Sequence, residues 1–203
     1  MMGPVYVITD PAAPLPVYEQ ALAAARGGAA MVQIRDKRAT DTDMAALVAR
    51  LLPQMEALGT RLIVNDRIAV ALATHAYGLH IGQGDGDAGA IRQRLRPGMI
   101  LGLSVETLSQ ARVIPTGVDY IGVGPVRVTA TKPDHAVPVG FDGLAQIVAA
   151  SGQPVFAIGG LKPCDARAVK GAGAIGMAVV SAVTRASNPA QVTAALLAEW
   201  RAA

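Results

Sequence analysis

Residues 61–81 read RLIVNDRIAVALATHAYGLHI, and this stretch contains the unit from which the rest of the chain is built. A short β-branched run at residues 61–64 ends in the polar pair Asn65-Asp66, a helical pattern follows, and a second apolar run occupies residues 78–81. A strand, a crossover and a second short strand are typical of a parallel βαβ unit. The stretch therefore predicts a parallel sheet whose strands end in polar residues.

The same alternation extends along the whole chain. Predicted strands occupy residues 5–8, 31–34, 61–64, 78–81, 100–103, 120–123, 155–158 and 175–179. Helix candidates between them include residues 16–26, 42–58, 141–150 and 163–172, with a last one at residues 189–201. Eight strands separated by helices predict an α/β fold, the (β/α)8 TIM barrel, as a single domain over residues 1–203, near the lower size limit for that fold.

The composition argues against a membrane protein. Hydrophobic residues make up 52% of the chain, but the longest uncharged stretch, residues 143–161, contains Ser151, Gly152, Gln153 and Pro154, which would break or burden a spanning helix. The first ten residues lack the basic region of a secretory signal. We therefore expect a soluble, cytoplasmic protein without a membrane partner, in which the single Cys164 is a packing residue.

The charge favours small anionic ligands over nucleic acid. The formal net charge is +3, yet the basic residues are scattered singly and only 3% of the residues are aromatic. Nucleic-acid sites need basic tracts and stacking platforms, so we expect no nucleic-acid partner. A mild positive balance suits small polyanionic substrates. The composition is compatible with a homo-oligomer.

Chemically useful side chains follow several of the predicted strands. They are Gln33, Arg35 and Lys37 after the second strand, Asn65 and Asp66 after the third, Asp85 after the fourth and Ser104 at the end of the fifth. In a barrel the carboxyl ends of all strands share one rim, where barrel enzymes carry their active sites. Polar residues that merely begin loops would explain one or two of these positions, but they poorly explain so many.

Asp66 and Asp85 are the metal candidates. Mg²⁺ is typically held by one or two carboxylates, waters and substrate phosphate oxygens. Either aspartate alone has a second interpretation as a helix cap, and Asp66 does precede a helical pattern. Because both follow strands, we expect them to share one Mg²⁺ ion.

Two groups of residues predict two anion sites. Arg35, Lys37 and Lys132 suit a diphosphate, because a bidentate guanidinium with ammonium groups binds phosphate oxygens well. Gly159-Gly160 and Val180-Ser181 follow strands seven and eight, where barrels recurrently bind phosphate. The alternative interpretation of the three cations is solvated surface charge, and that of the two glycines is a tight turn.

The sequence GAGAIG at residues 171–176 matches the spacing of a dinucleotide-binding fingerprint. Because it leads from a predicted helix into a predicted strand, it predicts only a turn.

Several short motifs together resemble the thiamine-phosphate synthase family in order and spacing. They are YVITD at residues 6–10, VQIRDK at 32–37, IVNDR at 63–67, HIGQ at 80–83, GVGP at 122–125, TATK at 129–132, AIGG at 157–160 and AVVS at 178–181. Each motif is weak alone, whereas the ordered set covers essentially the whole chain.

The resemblance implies a transferase that couples a pyrimidine methyl diphosphate to a thiazole phosphate and releases pyrophosphate, after the diphosphate has ionised to a pyrimidine methyl cation. It assigns the pyrimidine diphosphate to Gln33, Ile34, Arg35, Asp36, Lys37, Asn65, Ser104 and Lys132, of which Arg35, Lys37, Ser104 and Lys132 are the catalytic candidates. It assigns the thiazole phosphate to Thr129, Ala130, Thr131, Gly160, Val180 and Ser181, and Mg²⁺ to Asp66 and Asp85.

One position departs from the family pattern, because Arg127 stands where an aromatic residue is usual. We interpret it as a surface substitution whose stem covers apolar surface, with an extra phosphate ligand as the alternative. His135, in a loop, is a minor candidate for a catalytic role.

The related thiazole tautomerases carry a histidine where this chain has Pro125, and proline cannot transfer a proton. A non-catalytic ligand-binding paralogue is the remaining alternative, and such a protein would not need both aspartates.

Overall fold

The computed structural model describes residues 2–129 and 136–203. Within these ranges eight parallel strands close into a barrel, each paired with the next in the chain and the last with the first. They are β1 (Val5–Ile8), β2 (Met31–Ile34), β3 (Arg61–Asn65), β4 (Gly78–Ile81), β5 (Ile100–Val105), β6 (Tyr120–Val123), β7 (Val155–Ile158) and β8 (Gly176–Val179). The predicted fold class is confirmed.

Helices connect the strands on the outside of the barrel. They are α1 (Val17–Arg26), α2 (Asp41–Ala57), α3 (Ile68–Thr74), α4 (Ala88–Arg94), α5 (Leu108–Ala111), α6 (Gly140–Ser151), α7 (Ala166–Gly171), α8 (Ser181–Thr184) and α9 (Pro189–Ala202). Several begin at side-chain caps: Thr40, Asp87 and Asn188 each accept a hydrogen bond from a backbone N–H in the first turn of the following helix. A 3-10 turn, Pro163–Asp165, precedes α7, so the single helix expected at residues 163–172 is divided.

Side chains pack in two layers, because successive residues of a strand point to opposite faces of the sheet. One layer fills the space between the sheet and the helices, and it includes Val32, Ile34 and Val64. The other lies inside the barrel and is aromatic: Tyr6, Tyr120 and Phe156 contact one another edge to face, with ring centroids 5.3–6.0 Å apart. The barrel interior is therefore a packed floor below the strand ends.

The glycine-rich segment at residues 171–176 joins α7 to β8, so it leads from a helix into a strand and is not a dinucleotide-binding turn. Among the described residues, no helix combines the length and the apolar character needed to cross a bilayer.

Candidate active site

A cavity of about 520 Å³ opens at the carboxyl ends of the strands. That volume suits one or two small substrates. Its wall includes side chains or backbone from every strand, together with the segments that follow β6, β7 and β8. Its polar and phosphate-binding candidates, together with neighbouring residues of the wall, are Thr9, Gln33, Arg35, Lys37, Asn65, Asp66, His80, Asp85, Ser104, Pro125, Thr129, Gly160, Lys162, Val180 and Ser181.

The segment after β2 brings two cations to the rim. Arg35 is held at its backbone, where its N–H donates to the Thr9 hydroxyl at 3.0 Å. Further along, Arg67 donates through Nη2 to the carbonyls of Asp36 and Ala39, at 3.1 and 2.7 Å, and forms an ion pair with Asp41. Arg67 thereby ties the segment that carries Arg35 and Lys37 to the end of β3.

Asp66 and Asp85 both face the cavity. Partial burial and the negative charge of Asp85 raise the pKa of Asp66 above its ordinary value. The cap interpretation does not describe Asp66, because Arg67 is the residue before α3 and no side chain caps that helix. Asp66 also has a left-handed backbone with φ of 50°, a conformation that costs strain in residues other than glycine and that clusters at functional sites.

Asp85 has a hydrogen bond of its own, since its Oδ2 accepts from the Gly82 N–H at 2.7 Å. Within residues 2–129 and 136–203, no group of three or more His, Cys, Asp or Glu side chains comes together in a way that could hold a metal. Two carboxylates that share a cavity with room for waters and phosphate oxygens are a donor set that suits Mg²⁺, so the residues present fit that ion.

Below the rim a chain of hydrogen bonds crosses the barrel interior. Gln33 Nε2 donates to the Tyr6 hydroxyl at 2.6 Å, the Tyr6 and Tyr120 hydroxyls lie 2.9 Å apart, and Tyr120 lies 3.1 Å from His80 Nδ1. His80 Nε2 is 3.0 Å from Ser104 Oγ. Burial lowers the pKa of His80 to about 4, so its imidazole is neutral at physiological pH.

The segments after β6 and β7 are joined to each other by backbone hydrogen bonds. Val126 N–H donates to the Ile158 carbonyl at 2.8 Å, and Arg127 N–H donates to the Gly159 carbonyl at 3.0 Å. Gly160 has φ of +64°, and a Cβ there would lie 2.6 Å from the Val128 carbonyl oxygen. Only glycine fits this close approach, which brings Gly160 next to the segment that carries Thr129.

Arg127 is directed to the neighbouring segment. Its Nη2 lies 2.7 Å from Asp165 Oδ1, and its guanidinium lies over the Phe141 ring at 5.1 Å. Asp165 is only 4% exposed and also accepts from the Lys162 N–H at 2.9 Å. Arg127 is not among the residues that line the cavity. Its charge therefore compensates a buried carboxylate.

Comparisons with known proteins agree with this geometry. The family described as "Thiamine monophosphate synthase" matches residues 5–183. The chain belongs to the thiamine monophosphate synthase family. It is 46% identical over 200 residues to the thiamine-phosphate synthase of Roseiflexus sp. (strain RS-1), an alignment that covers 96% of this chain and 84% of the relative. The thiamine-phosphate synthase of Chloroflexus aurantiacus is 44% identical over 193 residues, covering 94% of this chain and 88% of the relative.

A solved structure has the same architecture. The thiamine phosphate pyrophosphorylase from Pyrococcus furiosus superposes with a TM-score of 0.88 at 33% sequence identity, covering 98% of this chain and 96% of that one. As a member of the thiamine monophosphate synthase family, the chain is a transferase of thiamine phosphate synthesis.

Most of the residues assigned from the sequence meet in the one cavity. The structure places there Gln33, Arg35, Lys37, Asn65, Asp66, Asp85, Ser104, Thr129, Gly160, Val180 and Ser181. Ala130, Thr131, Lys132 and the minor candidate His135 lie outside the described residues.

Of the assigned residues that the structure describes, two do not line the cavity. Ile34 is fully buried in the layer between sheet and helices, because it follows Gln33, which points inward. Asp36 shapes the segment instead, since its Oδ1 accepts from the N–H groups of Arg38 and Ala39 at 2.8 and 3.3 Å.

Sequence reasoning assigned no role to His80, Lys162 or Arg67, although the structure gives each a position at or beside the site. His80 lies in the HIGQ motif and Arg67 in IVNDR, so position within a motif was the available signal. Lys162 adds a cation to the cavity wall two residues after Gly160.

We expect Arg127→Phe to leave kcat and the KM for thiazole phosphate within about a few fold of the parent values. A direct charged contact to the phosphate would be worth about 1.5–3 kcal/mol, or tenfold and more in KM. Stability should fall, because the buried Asp165 loses its cation. Steady-state kinetics and thermal unfolding measure the two effects. A KM for thiazole phosphate raised more than about tenfold, with the pyrimidine KM unchanged, would show that Arg127 binds the phosphate.

Proposed function

We propose that this chain condenses a pyrimidine methyl diphosphate with a thiazole phosphate in the cavity at the strand ends, with Mg²⁺. The observation that carries the proposal is the distribution of groups around the rim. The carboxylates and two cations come from the ends of β2, β3 and β4, whereas Thr129, Gly160 and Ser181 follow β6, β7 and β8. In the closed barrel β1 and β5 separate these two arcs. This distribution supports the binding of two anionic substrates side by side.

Asp66 and Asp85 are the residues that would hold Mg²⁺. Burial and the negative charge of Asp85 raise the pKa of Asp66, and a bound divalent cation would offset the repulsion between the two carboxylates. An ion held by these two residues would supply positive charge to the diphosphate oxygens and so would make pyrophosphate a better leaving group.

Arg35 and Lys37 bind the diphosphate from the same side of the cavity. Arg67 and Thr9 hold their segment in place, so the cations need little reorganisation when negative charge develops on the leaving oxygen. Lys132, assigned by family resemblance, adds a further cation. Electrostatic stabilisation of the departing pyrophosphate is the main contribution that we assign to this arc.

Bond cleavage precedes bond formation in the proposed reaction. The bond between the pyrimidine methylene carbon and the diphosphate oxygen breaks, and its electron pair leaves with pyrophosphate. The lone pair of the thiazole nitrogen then attacks the resulting cation, and the product carries the positive charge on that nitrogen. No side-chain nucleophile takes part. The thiazole phosphate is held by Thr129, Gly160, Val180 and Ser181 so that its nitrogen points at the methylene carbon.

We expect the purified protein, given Mg²⁺ and both substrates, to release pyrophosphate and form thiamine phosphate in equal amounts. A coupled pyrophosphate assay and mass spectrometry of the product measure this. Omission of either substrate should abolish both signals, which provides the control. Folded protein that forms no thiamine phosphate under these conditions would refute the proposal.

The same preparation tests the tautomerase alternative. Pro125, the position where those relatives carry a histidine, does line the cavity, and its side chain has no proton to transfer. Thiazole phosphate incubated alone should therefore show no change of tautomer in proton NMR. Rapid interconversion would favour the alternative.

A further inference from the structure

The hydrogen-bond chain inside the barrel has a direction that can be worked out from its donors. Each tyrosine hydroxyl carries one proton, and a neutral imidazole carries one proton on either nitrogen. Gln33 Nε2 donates to the Tyr6 oxygen. If Tyr120 also donated to Tyr6, the Tyr6 proton would have no acceptor among the hydrogen bonds found in the described residues, although Tyr6 is only 1% exposed. A buried donor without an acceptor is costly, so Tyr6 donates to Tyr120.

The direction continues to the cavity. Because Tyr120 accepts from Tyr6, its own proton goes to His80 Nδ1 at 3.1 Å. The single proton of the imidazole is then on Nε2, which donates to Ser104 Oγ at 3.0 Å. Ser104 therefore keeps its own hydroxyl proton free to donate elsewhere, and Ser104 lines the cavity.

The sheet is shaped to hold this pair of rings. Tyr120 is fully buried and His80 is 8% exposed. A Cβ at Gly102 of β5 would overlap both the Tyr120 ring and His80 Nδ1, and one at Gly122 of β6 would lie 3.3 Å from His80 Cε1. Two glycines in adjacent strands thus make room for the contact between Tyr120 and His80.

We propose that Tyr120 is a positioning residue, which holds His80 in the tautomer protonated on Nε2 and thereby presents the Ser104 hydroxyl to the substrate as a hydrogen-bond donor. The chemical partner of that donor is an acceptor atom of the pyrimidine diphosphate, and this part of the proposal rests on the proposed function. Tyr120 does not line the cavity itself, so it reaches the substrate through other side chains, and in this proposal it acts through His80 and Ser104.

The tautomer is tested without any substrate. In ¹⁵N-labelled protein, long-range ¹H–¹⁵N spectra distinguish imidazole protonated on Nε2 from imidazole protonated on Nδ1, and the His80 signals are those that disappear in His80→Gln. We expect the Nε2–H form in the parent protein. Tyr120→Phe removes the donor to Nδ1, so its His80 shifts should move toward a mixture of tautomers.

Tyr6→Phe is the matched variant for the spectra. It removes one hydroxyl from the same core but leaves the bond between Tyr120 and His80, so the Nε2–H form should persist. A parent protein with His80 protonated on Nδ1 would overturn the proposal. Because the spectra need no catalysis, this result is separate from any failure of the proposed activity.

Kinetics test whether Tyr120 acts through Ser104. We expect Tyr120→Phe to lower kcat/KM for the pyrimidine diphosphate by about tenfold, with the KM for thiazole phosphate unchanged within about twofold. In a Ser104→Ala background the same substitution should change kcat/KM by less than about twofold, because the residue that it acts through is already gone. Equal losses in both backgrounds would show an ordinary packing role and refute the proposal.

A second tyrosine controls for the loss of a hydroxyl. Tyr18 accepts a hydrogen bond from Gln54 Nε2 at 2.5 Å on the outer helices, away from the cavity. Tyr18→Phe should leave both the His80 spectrum and the kinetic constants at parent values. A loss of kcat/KM in Tyr18→Phe equal to that in Tyr120→Phe would also overturn the proposal.

Discussion

Asp66→Asn and Asp85→Asn should each lower kcat by about a hundredfold or more, while the protein stays folded. Each substitution removes one negative oxygen ligand from the proposed Mg²⁺ site, and a loss of that size corresponds to about 3 kcal/mol at the transition state. The Mg²⁺ concentration that gives the half-maximal rate should rise in both variants. Steady-state rates over a range of Mg²⁺ concentrations, with circular dichroism as the check on folding, measure these effects.

Asp87→Asn is the matched control for the two aspartates. Asp87 lies two residues after Asp85, is exposed and caps α4 through a 2.7 Å bond from the Ala90 N–H. Asparagine caps helices as well as aspartate does, so this variant should keep the parent rate and Mg²⁺ dependence.

A binding measurement separates the metal site from other effects on catalysis. Mn²⁺ bound in the presence of pyrophosphate can be followed by electron paramagnetic resonance, and its affinity should fall in both site variants but not in Asp87→Asn. Near-normal rates, Mg²⁺ dependence and Mn²⁺ affinity in both site variants would show that Asp66 and Asp85 do not hold the ion.

Gly160→Ala should raise the KM for thiazole phosphate by more than about tenfold. The new methyl group would lie 2.6 Å from the Val128 carbonyl oxygen and 2.8 Å from Arg127 Cβ. Contacts this short force the segments after β6 and β7 apart, and the backbone bonds between them hold the position of Thr129. The KM for the pyrimidine diphosphate should change far less, because its proposed site lies on the other arc of the barrel.

Gly152→Ala isolates the cost of backbone strain from the cost of the clash. Gly152 has φ of +65°, nearly the same as the +64° of Gly160, but a Cβ there would meet nothing within 4 Å. Both alanine variants lose about 1–2 kcal/mol of stability through the left-handed conformation, and only Gly160→Ala also displaces the cavity wall. Thermal unfolding and steady-state kinetics of the pair give the comparison. A parent-like KM for thiazole phosphate in Gly160→Ala would remove this segment from the phosphate site.

Much of the fold could be predicted because its signals are local. The run at residues 61–64, which ends in the β-branched pair Ile63-Val64, favours an extended strand, and the structure extends that strand by one residue, to Asn65. Once eight such runs alternate with helices, the barrel topology places the polar residues that follow the strands on one rim. Short helices were harder: α5 has four residues, too few for a clear helical period.

The sequence predicted those residues of the candidate site whose position along a strand is enough to direct the side chain into the cavity. Gln33, Asn65 and Ser104 reach the cavity because they stand at inward-facing positions near the ends of β2, β3 and β5. The same rule explains Ile34, which follows Gln33 and therefore points outward into the layer below the helices. The resemblance to a family indicated which segments belong to the site, but it did not indicate the direction in which each side chain points.

Only the tertiary structure decided which side chains distant in sequence contact each other. Arg127 meets Asp165, 38 residues away, and the Tyr6 hydroxyl meets the Tyr120 hydroxyl across 114 residues. The sequence determined which residues could donate or accept hydrogen bonds, and it determined the strands that carry them. Which donor meets which acceptor depends on how the barrel closes, because short-range hydrogen-bond geometry exists only after the strands have taken their places around the axis.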